Sequence, residues 1–135
     1  MTNIRLDLTA RIGPRTAPSG LRTFVNIARC WQHSTQQEAA ILGAGSEAEL
    51  ERWRGLAGKE TGTLPVEMVL RIGHILVIFR LINTLLGAPA RADAWMRKPN
   101  AHPLFAGASA IDRLARGGLD DLLAVRRYLT AEAGP

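Results

Sequence analysis

The longest apolar stretch of the chain is VEMVLRIGHILVIFRLINTLL, Val66–Leu86, which follows Leu64-Pro65 and stops before Gly87-Ala88-Pro89. Fourteen of its positions are Val, Met, Leu, Ile or Phe. Proline suits the start of a helix, where a backbone N–H has no helical partner, and the Gly-Ala-Pro triplet is typical of a helix end. The stretch therefore predicts one long central helix that is buried on most of its sides.

Charged and titratable residues interrupt this apolar pattern and argue against a membrane span, because each charge near the middle of a bilayer costs ~2.5–3.5 kcal/mol on insertion scales. Glu67, Arg71 and His74 fall within about 60° of one another around the helix and form one polar stripe, while Arg80 lies roughly opposite. A helix with this many apolar residues has more apolar surface than one protomer of this length easily buries. We therefore expect a homodimer, with part of this helix at the interface.

Two short helices are predicted before the central helix, at the spacing of a helix-turn-helix. Thr35-Gln36-Gln37-Glu38 and Ser46-Glu47-Ala48-Glu49 both have the pattern of a capping box. Gly43 is placed to end the first of these helices in the left-handed conformation. An earlier amphipathic helix is predicted over Leu21–Trp31, where apolar residues recur three and four positions apart.

Positive charge is concentrated at the two ends of the chain, whose net charge is +5. Residues 34–64 carry five Glu against three basic residues. Residues 1–19 contain Gly13-Pro14 and Pro18-Ser19-Gly20, which break regular structure, so a flexible basic arm is predicted there. The predicted organisation is an arm at 1–19, a helix-turn-helix-like region at 20–64, the central helix at 65–89 and a C-terminal region at 90–135.

The C-terminal region contains the stretch ARADAWMRKPNAHPLFAGASAIDRLARGGLDDLLAVRRYL, Ala90–Leu129. Its prolines and glycines separate short helical segments, a pattern that indicates a preformed surface. A short helix is predicted at Arg91–Arg97, followed by a loop rich in proline and glycine. Ser109 is placed to cap a helix that ends near Arg116, and Leu119 begins the last helix. No segment shows the alternation of a strand, so the chain is predicted to be all-α.

Several function classes are disfavoured by composition. Cys30 is the one cysteine, so no internal disulfide is possible and a reducing cytoplasm is expected. Residues 1–13 lack the apolar run of a signal peptide. The three histidines do not share a spacing that chelates a metal. No nucleophile–base pair, carboxylate pair or phosphate-binding loop is present, so we expect neither an enzyme nor a cofactor.

One order of residues in the second half is specific: a tryptophan, a basic pair, Pro-Asn, a glycine and Ser-x-x-Asp. It runs through Ala94–Asn100, Pro103–Gly107, Ser109–Asp112 and then Val125–Leu129. In this order of residues, nearly the whole chain resembles the Xre/MbcA/ParS antitoxins. The resemblance also includes the central helix and the segments Phe24–Trp31, Gln37-Glu38, Leu42-Gly43 and Glu51–Arg54. Those proteins are partners of RES-domain toxins.

The resemblance implies that a C-terminal region covers the active site of a toxin that consumes NAD, and that the antitoxin or its complex represses its own operon. Toxin contacts are expected near the end of the chain, at Arg113, Arg116, Arg126, Arg127, Tyr128 and Leu129. The arginines would pair with carboxylates of the toxin or occupy the polar site where it binds the phosphates of NAD. Deleting the residues after Arg116 is expected to leave a folded protein that no longer neutralises the toxin.

Operator DNA is the second expected partner, with contacts predicted at Arg5, Arg11, Arg15, Gln36, Gln37, Ser46, Arg52 and Arg54. The second short helix nevertheless begins Ser46-Glu47-Ala48-Glu49 and adds Glu51, and carboxylates oppose phosphate binding. The arm, entering a minor groove, is the alternative DNA contact. The alternative function is a dimeric helix-turn-helix regulator that has no toxin partner and uses its C-terminal region only for dimerisation.

Overall fold

A computed structural model describes residues 17–57 and 64–134 of the chain. Within these ranges there are seven α-helices and no strand, which confirms the predicted all-α class. The helices are α1 Ala17–Cys30, α2 Thr35–Leu42, α3 Glu47–Arg54, α4 Val66–Leu86, α5 Pro89–Arg97, α6 Ala110–Leu114 and α7 Leu119–Ala133. Arg5, Arg11 and Arg15 of the predicted arm lie outside the described residues.

The predicted arm ends earlier than expected, because α1 already begins at Ala17. Pro18 lies in the first turn of this helix, where its missing N–H and fixed φ are compatible with helical structure. The expectation that Pro18-Ser19-Gly20 breaks the chain is therefore wrong.

The central helix α4 has the bounds that the sequence predicts, beginning after Pro65 and ending at Leu86 before Gly87. α1, α2, α5 and α7 all pack against it. Ile72, Ile75 and Ile78 are at most 1 % exposed. By length and composition alone α4 could cross a membrane, but in this fold it is the helix around which the others are arranged.

Two residues of the predicted polar stripe of α4, Arg71 and His74, are buried while Glu67 is exposed, and Arg71 attaches the helix to α2. Arg71 is only 7 % exposed. Its Nη1 donates to the carbonyl oxygens of Ala40 and Ile41 at 3.4 and 3.3 Å, and its Nε donates to Glu67. Since the last carbonyls of a helix have no helical partner, this guanidinium satisfies groups at the C-terminus of α2.

Capping explains where α2 and α3 begin, with one correction to each of the two predicted boxes. Ser34, one residue earlier than expected, caps α2: its Oγ accepts from the Gln37 N–H and its own N–H donates to the Gln37 side chain. Ser46 caps α3 as predicted by accepting from the Glu49 N–H, but the Glu49 carboxylate accepts from the Gly45 N–H and not from Ser46. The helix-turn-helix spacing is retained.

Gly43 ends α2 with φ +85°, the left-handed conformation that the sequence predicts. A Cβ at this position would lie 2.8 Å from Nε of Arg71. We expect Gly43→Ala to lower the free energy of unfolding by about 2 kcal/mol, because the alanine adopts an unfavourable φ and also displaces a buried guanidinium.

Gly87→Ala is the matched control for this substitution. Gly87 ends α4 with φ +71°, but a Cβ there meets nothing within 4 Å. Urea denaturation should therefore show a loss of only about 1 kcal/mol, the cost of the left-handed conformation alone. Equal losses for the two variants would mean that contact with Arg71 contributes nothing.

The chain just after α1 packs against α4 through an aromatic contact. Trp31 is fully buried, and its ring lies 6.1 Å from Phe79 and 5.7 Å from His33, measured between centroids. Both ring nitrogens of His33 are buried without a hydrogen-bond partner in the described structure. Burial lowers the pKa of His33 to about 4, so the ring is neutral near pH 7.

This histidine should make stability depend on pH. Between about pH 4 and 6.5 the unfolded chain binds a proton at His33 that the folded chain does not, so stability falls as pH is lowered through this window. The His33 contribution should be about 2 kcal/mol smaller at pH 5 than at pH 8. Urea titrations of the wild type and His33→Leu at both pH values measure this contribution, since the carboxylates titrate alike in the two proteins. The prediction would be contradicted if the wild type and the variant differed in free energy of unfolding by the same amount at pH 5 and pH 8.

The C-terminal helix α7 belongs to the core. Its contact with α4 is the most extensive between any two described helices. Leu122, Val125 and Leu129 are at most 1 % exposed. The expectation that a chain ending at Arg116 remains folded is therefore not supported, since such a chain lacks one complete wall of the core.

Candidate functional site

The loop between α5 and α6 is closed on itself by backbone hydrogen bonds. Asn100 donates its N–H to the carbonyl of Ala108, and its own carbonyl accepts from the Gly107 N–H, both at 2.9 Å. Its side chain accepts from the His102 N–H at 2.9 Å. The loop therefore has one defined shape, with Gly107 in the left-handed conformation at φ +86°.

Four aromatic side chains form a cluster beneath and beside this loop. Phe105 is 3 % exposed and meets Trp95 and Tyr128 edge-on, with centroids 5.9 and 5.4 Å apart. Trp95 also stacks on Tyr128 at 6.5 Å, and the exposed His102 lies 4.7 Å from the same tyrosine. The cluster joins α5, the loop and α7 into one rigid unit.

Tyr128 lies at the rim of this cluster and is half-buried. Burial, followed by the neighbouring Glu132, raises the pKa of Tyr128 above its ordinary value. The phenol is therefore neutral near pH 7 and keeps its hydroxyl proton for hydrogen bonding.

His102 has a defined orientation because its Nδ1 accepts from the Leu104 N–H at 3.1 Å. A ring nitrogen that accepts a hydrogen bond carries no proton, so this geometry favours the tautomer protonated at Nε2.

A charged connection fixes the other side of the loop. Arg113 donates from Nε to Oδ1 of Asp121 and from Nη1 to the carbonyl of Leu104, both at 2.9 Å. Asp121 is 8 % exposed and also accepts from the Gly118 N–H at the start of α7. Arg113, predicted to contact the toxin directly, is thus a positioning residue that holds the loop and α7 together.

The remaining residues predicted to bind the toxin divide into surface and interior. The side chain of Arg116 is 64 % exposed although its Nε lies 3.5 Å from Asp121, and Arg127 is also exposed. Arg126 is half-buried and donates to Nδ1 of His74 at 3.0 Å. Leu129 lies in the core at 1 % exposure. Leu129 can therefore affect a partner only through the packing of α7, and its predicted direct contact is corrected.

A groove of about 380 Å³ runs between the loop and α6. Leu104, Phe105 and Ala108 provide apolar lining, and Asp112, Arg113 and Arg116 provide charged groups. Ser109 and Asp112 form a reciprocal capping box that fixes the start of α6 beside it. The groove and the aromatic cluster share Phe105, and Arg116 lines the groove. The groove, the cluster and the exposed Arg116 and Arg127 are called the C-terminal surface below.

Those residues predicted to bind DNA that lie within the described ranges do not form a free basic surface. Arg54 pairs with the buried carboxylate of Glu38 through Nη2 at 2.6 Å and Nε at 3.0 Å, and also with Glu51. The hydrogen bond to Glu38 is the main cause of a raised pKa of Arg54. This arginine is therefore already occupied by two carboxylates.

Four other predicted DNA contacts lie on α2 and α3. Gln36 is exposed, while the half-buried Gln37 is engaged in the α2 cap and reaches Asp112 at 3.4 Å. Ser46 caps α3, and the exposed Arg52 lies 5.5 Å from the ring centroid of Trp53.

A basic face that the sequence analysis missed lies on α1. Arg22, Asn26 and Arg29 are all exposed and share one side of this helix. They line a groove of about 510 Å³ between α1 and α3. Their spacing of four and three positions, opposite the buried Phe24 and Trp31, was the available signal.

No group of three or more potential metal-ligating residues comes together in residues 17–57 and 64–134.

Comparison with known proteins agrees with the position of the C-terminal surface. Residues 82–134 match the family model described as the antitoxin Xre/MbcA/ParS C-terminal toxin-binding domain. The chain is also 37 % identical, over 117 residues, to a Sinorhizobium fredii protein named uncharacterized protein y4oB, covering 87 % of this chain and 86 % of that one. No solved structure matches the chain.

The matched region contains the end of α4 and all of α5, the loop, α6 and α7, and so includes every residue of the C-terminal surface. The chain therefore belongs to one family with the Sinorhizobium fredii protein, and its residues 82–134 match the toxin-binding domain of the Xre/MbcA/ParS antitoxins.

Proposed function

We propose that this protein is an antitoxin that acts in the cytoplasm by covering the active site of a RES-type toxin, so that the toxin no longer consumes NAD. The observation that carries the proposal is the preorganised C-terminal surface inside the matched toxin-binding domain. A surface fixed before binding loses little conformational entropy when a partner docks. The mechanism is steric and electrostatic and requires no chemistry by the antitoxin.

Arg116 and Arg127 are the cations that this surface presents most openly. Guanidinium groups form bidentate pairs with carboxylates and phosphates. In the proposed complex they contact acidic groups of the toxin or the polar site where the toxin binds the phosphates of NAD. Tyr128 contributes an aromatic edge, while Arg113 and Arg126 support the surface from beneath.

The test is co-expression with the product of the adjacent gene, followed by size-exclusion chromatography and measurement of cellular NAD. The wild type should co-elute with the toxin and preserve NAD. Arg116→Glu/Arg127→Glu should weaken the complex at least ~10-fold without changing the thermal transition.

Arg91→Glu is the control, since Arg91 is exposed on α5 in the same domain and is not among the proposed contacts. It should bind and protect like the wild type. A doubly reversed variant that still preserves NAD would contradict the assigned contact, and a wild type that never binds the adjacent gene product would contradict the function.

We also propose a homodimer formed through α4. Val66 is 64 % exposed, and Leu70, Val77 and Leu81 are only partly buried. These residues fall within about 60° of one another around the helix, so they form one apolar stripe. Light scattering of the wild type and Val77→Lys tests this: the wild type should have twice the protomer mass, and the variant should be monomeric.

Repression of its own operon is the second proposed activity. The α2–turn–α3 geometry supports it, since this motif presents its second helix to a DNA groove. Glu47 and Glu51 on the exposed side of α3 oppose it there. A gel-shift assay with the upstream DNA of the gene decides whether the protein binds its operator at all.

A further inference from the structure

We propose that duplex DNA binds along α1, with its phosphates in the groove between α1 and α3, and not on the exposed face of α3. The proposal rests on the operator binding proposed above and assigns it to a different surface. Its new contact residues are Arg22 and Arg29, with Asn26 between them.

The charge balance of the groove favours a polyanion. Glu38 is the one carboxylate among the described lining residues, and both of its oxygens accept hydrogen bonds from Arg54. Glu38 and Arg54 therefore neutralise each other. Arg22 and Arg29 form no ion pair with a described carboxylate, so two positive charges are uncompensated among the described residues of the groove.

The geometry of α1 suits an extended phosphate backbone. Arg22 and Arg29 are seven residues apart on one side of the helix, which separates them by about 10 Å along its axis. One strand of B-DNA advances about 3.4 Å per nucleotide, so this distance corresponds to about three nucleotides. Arg22 is also directed along the groove, because its Nε donates to the carbonyl of Ala57 at 2.9 Å.

The exposed face of α3 has the opposite charge. Glu47 and Glu51 are exposed, and Arg54 is shared between Glu51 and the buried Glu38, so Arg52 is the one exposed cation of α3. The carboxylate of Glu49 accepts hydrogen bonds from the Gly45 N–H and the Trp53 indole. The Gly45 hydrogen bond is the main cause of a lowered pKa of Glu49, so this group remains an anion. A phosphate approaching α3 meets three carboxylates beside the single exposed guanidinium of Arg52, whereas one approaching α1 meets two guanidinium groups.

Asn26 adds a neutral hydrogen-bonding group between the two arginines. Its exposed amide can donate to a phosphate or to the edge of a base, and an amide costs less to bury against DNA than a charge does.

The experiment measures binding of the full chain by fluorescence anisotropy, using a duplex from upstream of its own gene and an unrelated duplex, from 50 to 200 mM salt. Arg22→Gln and Arg29→Gln should each weaken binding and reduce the slope of log K against log salt by about 0.9, the value of one phosphate contact. The double variant should lose about 1.8.

Arg29→Gln is the clearer test, since Arg29 forms no hydrogen bond or ion pair with residues 17–57 or 64–134, whereas Arg22→Gln removes the hydrogen bond to Ala57. Circular dichroism checks that both variants are folded. Arg91→Gln is the charge-matched control on α5 and should leave the slope unchanged. Arg52→Gln, on α3, should also leave it unchanged.

Three outcomes would overturn the proposal, each for a different reason. If the wild type binds DNA and only Arg52→Gln reduces the slope, DNA lies on α3. If the wild type binds neither duplex at 50 mM salt, the proposed operator binding fails as well. If Arg22→Gln and Arg29→Gln weaken the toxin complex and leave DNA binding unchanged, the groove serves an acidic protein surface.

Discussion

Asp121→Ala should lower the free energy of unfolding by about 4 kcal/mol, because it removes the carboxylate of a buried ion pair and leaves the Arg113 guanidinium without its charge partner. The Asp121 side chain is 12 % exposed. It accepts from Nε of Arg113 at 2.9 Å and from the Gly118 N–H at 3.1 Å. One substitution therefore breaks both the start of α7 and the link between α6 and α7. Chemical denaturation monitored by circular dichroism measures the loss.

Asp120→Ala provides the matched control, because Asp120 is the exposed neighbour in the same first turn of α7. It should cost less than about 1 kcal/mol, the value of a favourable interaction with the helix dipole. If the two variants are equally stable, the Arg113–Asp121 pair does not hold the C-terminal surface together.

Asp121→Asn separates charge from hydrogen bonding at this position. An amide oxygen can still accept from the Gly118 N–H but no longer neutralises Arg113, so its stability should lie between the wild type and Asp121→Ala. Toxin affinity should follow the same order, because Arg113 also holds the Leu104 carbonyl and thereby the shape of the loop.

Much of the fold was predictable because its signals are local. The glycine at position 43 and the serine at position 109 fix helix boundaries through backbone conformation and side-chain capping within four residues. The central helix was predictable from its long, mostly apolar sequence between Pro65 and Gly87. The errors were also local, since Ser34 competes with Thr35 for the same cap and Pro18 is tolerated in the first turn of a helix.

The site was less predictable because its contacts join residues far apart in the sequence. Arg113 and Asp121 lie on different helices, and the Arg54–Glu38 pair spans sixteen positions. No spacing rule indicates which arginine finds a carboxylate and which remains free for a partner. Leu129 is different, since its spacing from Leu122 and Val125 already gives the pattern of a buried helix face.

A chain that ends at Arg116 should fail to fold, and this is the largest effect we expect. The truncation removes α7 and with it the buried side chains of Leu122, Val125 and Leu129. Full burial of each such side chain contributes about 1.5–3 kcal/mol, so the three together equal a large part of the ~5–15 kcal/mol stability of a typical domain. Arg113 also loses Asp121, and His74 loses Arg126. Circular dichroism should show reduced helicity and no cooperative thermal transition.

A chain that ends at Ala133 is the control, because it keeps all of α7, and its transition should match that of the full chain. Cooperative unfolding of the shorter chain would show that α1–α6 form a stable unit and that α7 is an appendage. If the chain that ends at Arg116 does not fold, as we expect, its failure to neutralise a toxin carries no information about which residues contact the toxin. The contact must then be located with Arg127→Glu, an exposed position on α7 where loss of neutralisation with an unchanged transition identifies a residue that meets the toxin.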